Sequence, residues 1–84
     1  MELKDTVKLM DSNDYKERFK AEYLQTKIRH DKLEKMLIKY KAGTLEFTPS
    51  CDIGLLDDQL GYMKNYLRIL RIRAEIEGVN LEGV

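Results

Sequence analysis

From Asp14 to Lys41 the chain runs without a single glycine or proline, and apolar groups return every three or four residues. Tyr15, Phe19, Tyr23, Thr26, His30, Leu33, Leu37 and Tyr40 follow spacings of four and three, close to a heptad seam. That periodicity predicts one long amphipathic helix, around which the rest of the chain must arrange itself. Its start is marked by Ser12, Asn13 and Asp14, whose side chains accept from free first-turn N–H groups. Asp14 with Glu17 resembles a capping box. Gly43 suits the far end, where a left-handed residue closes the helix. Leu24 and Ile28 lie roughly 150° or more from the centre of the stripe. A second apolar flank is more than one hairpin partner can cover, and it is expected to be a subunit contact.

The other elements are read against this helix. Residues 2–10 place Leu3, Val7 and Met10 on one narrow face, enough for a short docked helix. Leu45 and Phe47, before Pro49, are expected to tuck back onto the open end of the two long helices. Ser50 or Asp52 opens a second long helix, which runs to about Glu77 and stops at Gly78. One face carries Leu56, Leu60, Met63, Leu67, Leu70 and Ala74, and should zip to the first helix. Another carries Leu55, Tyr62, Tyr66, Ile69, Arg73 and Ile76, and needs a neighbour or a ligand. Gly54 and Gly61, inside this helix, suggest close approach of another backbone. Val79–Val84 is a short tail in which Val79 and Leu81 can dock. The expected fold is all-α: a short N-terminal helix followed by a long antiparallel helical hairpin, in a single domain over 1–84, assembled into a homo-oligomer. The helices fall at about 2–10, 13–42 and 51–77.

With 84 residues, two or three helices leave much apolar surface uncovered, and oligomerisation is the common remedy. Lys+Arg and Asp+Glu are both 15 and net charge is zero, which argues against duplex nucleic acid and an acidic membrane as partners. Residues 1–42 hold 11 basic and 8 acidic groups, net +3; residues 43–84 hold 4 and 7, net −3. Such asymmetry suits antiparallel packing or subunit pairing. Cys51 and His30 are each the only residue of their kind, so no internal disulfide, metal-ligand cluster or cofactor is expected. The N-terminus lacks the apolar core of a signal peptide, and no run approaches a membrane span, so a soluble, cytoplasmic protein is expected. No catalytic constellation stands out. Asp14–Arg18 and Asp31–Lys35 stand at ion-pair spacing.

Two groupings carry chemistry. Lys16, Lys20, Tyr23 and Lys27 fall within roughly 60° of arc. Three like charges around one aromatic become favourable against an anion with a stackable ring. Tyr62, Tyr66 and Arg73 line one face of the second helix, with Arg71 nearby in sequence. Tyrosines with an arginine can stack a base and clasp a phosphate. The plain alternatives are a solvated lysine face and an oligomer interface. Candidate ligand-binding residues are Tyr15, Lys16, Lys20, Tyr23, Tyr66, Arg71 and Arg73.

The run Asp14-Tyr15-Lys16-Glu17-Arg18-Phe19-Lys20-Ala21-Glu22-Tyr23, then Lys32-Leu33, then Leu55-Leu56 with Gln59, Met63, Tyr66-Leu67 and Leu70, resembles small phage and prophage proteins of a helical-hairpin type. That hairpin is similar to the one in the anti-CBASS sponges, and it is also a module of anti-Thoeris sponges. The resemblance covers about residues 12–77. It implies a compact homo-oligomer, hexameric in the known sponges, in an infected bacterial host cell. It further implies that cyclic di- or trinucleotide immune signals are sequestered and not degraded, with no enzyme activity. Sponge pockets set an aromatic over the base and basic or hydroxyl groups at the phosphates, and Lys20 matches a pocket lysine. The pocket tyrosine before the long helix has no counterpart in Thr6–Ser12, so Tyr15 or the Tyr66/Arg73 face would take its place. The competing reading is an oligomeric helical interaction module that binds a protein partner and no small molecule.

Overall fold

The computed structural model describes residues 1–82, and every described regular element is helical. A 3₁₀ turn, Leu3–Thr6, runs straight into α1, Val7–Met10. Then come α2, Tyr15–Ala42, and α3, Ile53–Glu77. The last two residues of the expected tail lie outside the described ones.

Capping fixes where the long helices begin and end. Asp14 accepts from the Lys16 N–H at 2.9 Å, while its own N–H donates to Ser12 Oγ at 3.0 Å. Ser12 therefore takes the reciprocal role that the sequence suggested for Glu17. Gly43, at φ 78°, closes α2: its N–H reaches Tyr40 O, and Thr44 N–H reaches Lys39 O. That pair of bonds is a Schellman motif, and it needs a left-handed residue. Gly78, at φ 72°, does the same for α3, and Val79 N–H returns to Ala74 O at 2.9 Å. The turn drops Val79 into the core, where it is buried. At the start of α3, Asp52 is the cap residue, but its side chain makes no capping bond.

α2 packs on α3 through the expected seam. Phe19, Tyr23 and Leu37 are buried on one side, Leu67, Leu70 and Ala74 on the other. The cross-contacts run in opposite order along the two helices: Tyr15 meets Glu77, Glu22 meets Tyr66, and Lys41 meets Asp57. Leu70 and Leu37 are almost wholly buried, each stabilising the fold by about 1.5–3 kcal/mol on a transfer scale. Tyr15 and Tyr40, at the ends of the stripe, are exposed.

The second flank of α2 differs from expectation. Leu24 is 4% exposed and belongs to the core, with Leu9 packed against the same cluster. The 3₁₀ turn and α1 both lie on α2. Thr6, fully buried, donates to Leu3 O at 2.7 Å and accepts from Gln25 Nε2 at 2.8 Å. The chain itself therefore covers Leu24, and no subunit is needed there. The inward face of the N-terminal segment also differs: Thr6 is buried and Leu3 and Leu9 half-buried, whereas Val7 and Met10 are exposed. A 3₁₀ turn repeats every three residues, so Leu3, Thr6 and Leu9 align where an α-helical count selects Leu3, Val7 and Met10.

Smaller differences have similar local causes. Phe47 stays 59% exposed, its loop lying along Lys32, Lys35, Met36 and Lys39. Asp31 pairs with Lys27 at 2.9 Å and not with Lys35. Arg18 reaches back to Ser12 O at 2.8 Å and not to Asp14. Neither α3 glycine seats another backbone within the described chain. A Cβ at Gly61 meets nothing within 4 Å, and one at Gly54 meets only the Asp52 carboxylate.

Candidate functional site

The seven candidate residues divide between the two flanks of the α2–α3 seam. Neighbouring residues on a helix point about 100° apart, so Tyr15 and Lys16 fall to opposite sides of a seam that runs between them.

On one flank stand Tyr15, Tyr66 and Arg73. The Tyr15 hydroxyl donates to Glu77 Oε1 at 2.7 Å and accepts from Arg73 Nη2 at 2.8 Å. Arg73 Nε donates to Glu77 Oε2 at 2.8 Å, and its guanidinium carbon lies 5.1 Å from the centre of the Phe19 ring. Tyr15 meets Phe19 edge-on, with ring centres 6.2 Å apart. The Tyr66 hydroxyl donates to Glu22 at 2.9 Å. A groove of about 350 Å³ opens here, lined by Met10, Tyr15, Arg18, Phe19, Glu22 and Arg73. Two arginines face two glutamates, so the flank is close to neutral. Hydrogen bonds from Tyr15 and Arg73 hold the Glu77 carboxyl below the usual glutamate range. The Tyr15 phenol is pushed up, chiefly by its bond to Glu77. The Tyr66 phenol is pushed up by burial first and by Glu22 second.

On the other flank stand Lys16, Lys20, Tyr23 and Arg71. Arg71 lies over the Tyr23 ring, 5.6 Å from its centre, and Nε donates to the Tyr23 hydroxyl at 3.3 Å. Tyr23 is buried, so its ring is a base for Arg71 and not itself an open stacking surface. Lys16 Nζ donates to Gly78 O at 3.2 Å, at the negative end of the α3 dipole. Lys20, one turn along α2 from Lys16, is half-buried. A groove of about 360 Å³ runs along Tyr23, Arg71, Glu75, Val79, Asn80 and Glu82. Lys27, the last of the basic arc, is engaged by Asp31.

The structure adds Phe19, Glu22 and Glu77 to the first flank and Asn80 to the second. In the sequence Phe19 is legible only as core, and the acids only as helix-surface charges. His30 sits in the seam with Nδ1 3.0 Å from Asp31 Oδ1, while its buried Nε2 has no partner among the described residues. The bond to His30 is the main reason the Asp31 carboxyl is held below its usual range. His30, Asp31 and Glu34 bring one ligand atom each within 4.8 Å of one another, a grouping that was not expected with a single histidine and a single cysteine. Two of the three are exposed acids, and Asp31 already serves Lys27 and His30. Among the described residues no helix is long and apolar enough to cross a membrane.

Two long packed helices with an arginine laid on an aromatic ring at each flank define a small, all-helical protein with mixed-charge surface grooves. The Sequestin family model matches residues 13–76, which include all seven candidate residues, and the chain belongs to that family. The family's name speaks of sequestration, the holding of a ligand. No curated protein and no solved structure matches the chain.

Proposed function

We propose that this protein sequesters a cyclic oligonucleotide immune signal, a cyclic di- or trinucleotide, without degrading it. It acts as a phage anti-defence sponge in the cytoplasm of an infected bacterial cell. Its unit is a single-domain antiparallel helical hairpin that assembles into a homo-oligomer. Membership of the Sequestin family supports the holding role. The observation that carries the choice of ligand is Arg71, stacked on Tyr23, with Lys16 bonded to Gly78 O on the same flank. A guanidinium plane backed by a ring can stack a nucleobase, and neighbouring lysines attract phosphates.

On this flank Lys16 and Lys20 of the basic arc add to Arg71, while Glu75 and Glu82 also line the groove and Lys27 is taken up by Asp31. On the Tyr15–Arg73–Tyr66 flank, a phosphate competes with Glu77 for Arg73, so those residues are assigned a supporting role at the ligand. Calorimetry with cyclic di- and trinucleotides tests the reading. Binding at micromolar ligand, with the ligand recovered intact after denaturation, is expected; no heat with any member of the panel overturns it.

A second reading rests on the exposed apolar face of α3, which suits a helical module that docks a protein and takes no small molecule. Mass spectrometry of the native complex separates the two: a specific protein and no small molecule favours the second.

A further inference from the structure

With the N-terminal segment covering the back of α2, one large apolar face remains open, and it lies on α3. Leu55, Tyr62, Ile69 and Ile76 recur at strict seven-residue intervals along it, and all four are exposed, Tyr62 at 75% and Ile76 at 78%. A seven-residue repeat is the signature of a helix that packs on another helix along its length. From Leu55 to Ile76 the stripe spans roughly 30 Å at 1.5 Å per residue.

The two halves of the stripe have different shapes. Its N-terminal half is a groove of about 670 Å³, lined by Leu55, Asp58, Gln59, Tyr62, Met63 and Tyr66. Its C-terminal half is a ridge of Ile69, Ile72 and Ile76, all about half exposed or more. A groove and a ridge on one helix fit each other only if a second helix arrives reversed. The charges agree. Asp58 stands in the groove half and has no cation partner among the described residues. Arg73 stands in the ridge half, with Nε and Nη2 engaged and Nη1 left.

We propose that the occupant of this face is α3 of a second copy of the chain, antiparallel, about a two-fold axis between Asn65 and Tyr66. In this register Leu55 packs on Ile76 of the second copy and Tyr62 on its Ile69. Asp58 comes level with Arg73 of the second copy, and the two-fold repeats every contact. A parallel pair instead sets groove on groove, ridge on ridge, Asp58 on Asp58 and Arg73 on Arg73. The proposal specifies the contact within the homo-oligomer of the proposed function and is independent of any ligand. It also makes Arg73 a residue shared between the Tyr15–Glu77 network and the subunit contact.

Disulfide trapping tests the register in a Cys51→Ser background. Tyr62→Cys with Ile69→Cys in one chain cannot close on itself, since positions seven apart on a helix are roughly 10 Å distant. The double variant is expected to give a covalent dimer on oxidation, and each single variant to stay uncrosslinked. Crosslinking by either single variant overturns the antiparallel register. Charge reversal gives a second readout by light scattering. Asp58→Arg is expected to halve the mass with helical content retained, and adding Arg73→Asp to restore it. A wild-type monomer overturns both this contact and the homo-oligomer. An oligomer indifferent to Asp58→Arg, and untrapped by the double cysteine, overturns this contact alone. Either result leaves the calorimetric test of ligand binding standing.

Discussion

Tyr15 and Arg73, 58 positions apart in sequence, are joined by a 2.8 Å hydrogen bond from the guanidinium to the phenol oxygen. Glu77 closes the triangle, accepting from Tyr15 at 2.7 Å and from Arg73 at 2.8 Å. The first turn of α2 is thereby tied to the last turn of α3. The same region holds the Lys16 bond to Gly78 and the buried Val79. This end of the molecule is pinned by side-chain bonds. The other end has one exposed ion pair, Lys41 with Asp57, which contributes about 1 kcal/mol at most.

The triangle sets a pH dependence. Glu77 is held below the usual glutamate range, so the folded chain binds fewer protons there than the unfolded chain. Its contribution is complete above that range and is lost as pH falls through the lowered value. Tyr15 is raised, so its contribution is complete below the usual phenol range and is lost as pH rises through the raised value. The melting temperature is expected to fall on both sides, and Glu77→Gln to flatten the acid limb. An acid limb unchanged by Glu77→Gln removes the triangle as its cause.

Leu24 separates the chain's own core from a subunit contact. It is 4% exposed beneath the N-terminal segment. Leu24→Ala is expected to cost about 2–5 kcal/mol in urea unfolding. The oligomer mass should be unchanged. A change of mass without loss of stability would place Leu24 at an interface after all.

Gly61 sits mid-helix, and a Cβ added there meets nothing within 4 Å. Gly61→Ala is expected to stabilise the chain by about 0.5–1 kcal/mol, since alanine restricts the unfolded backbone and suits the helix. A loss of stability means that another backbone approaches at this position.

Arg71→Ala removes the stacked guanidinium and leaves Tyr23 buried. Cyclic nucleotide affinity is expected to fall by roughly tenfold to a hundredfold, with the circular dichroism unchanged. Lys20→Ala should weaken binding less and reduce its dependence on salt. Full affinity in the Arg71 variant moves the site to the Arg73 flank.

Much of the helical framework is legible in the sequence because period and caps agree. The seam from Phe19 to Leu37, the inward face from Leu56 to Ala74, and the stops at Gly43 and Gly78 all follow from local chemistry. What escapes the sequence depends on geometry between elements. An α-helical period applied to the whole N-terminal segment leaves Thr6 outside and Leu24 without a cover. Sequence spacing groups the candidate residues by helix, whereas the structure groups them by flank. Tyr23 therefore belongs with Arg71, and Tyr15 with Arg73. Glu77 and Glu22, which neutralise the Arg73 flank, have no sequence signal beyond being charged.

Whether the chain holds a cyclic oligonucleotide and returns it unchanged is tested most directly by native mass spectrometry of the protein purified from cells that make such signals. An adduct of cyclic di- or trinucleotide mass is expected, lost in Arg71→Ala and released intact on denaturation. A protein that carries no nucleotide from those cells, or that releases a linearised one, contradicts the sponge.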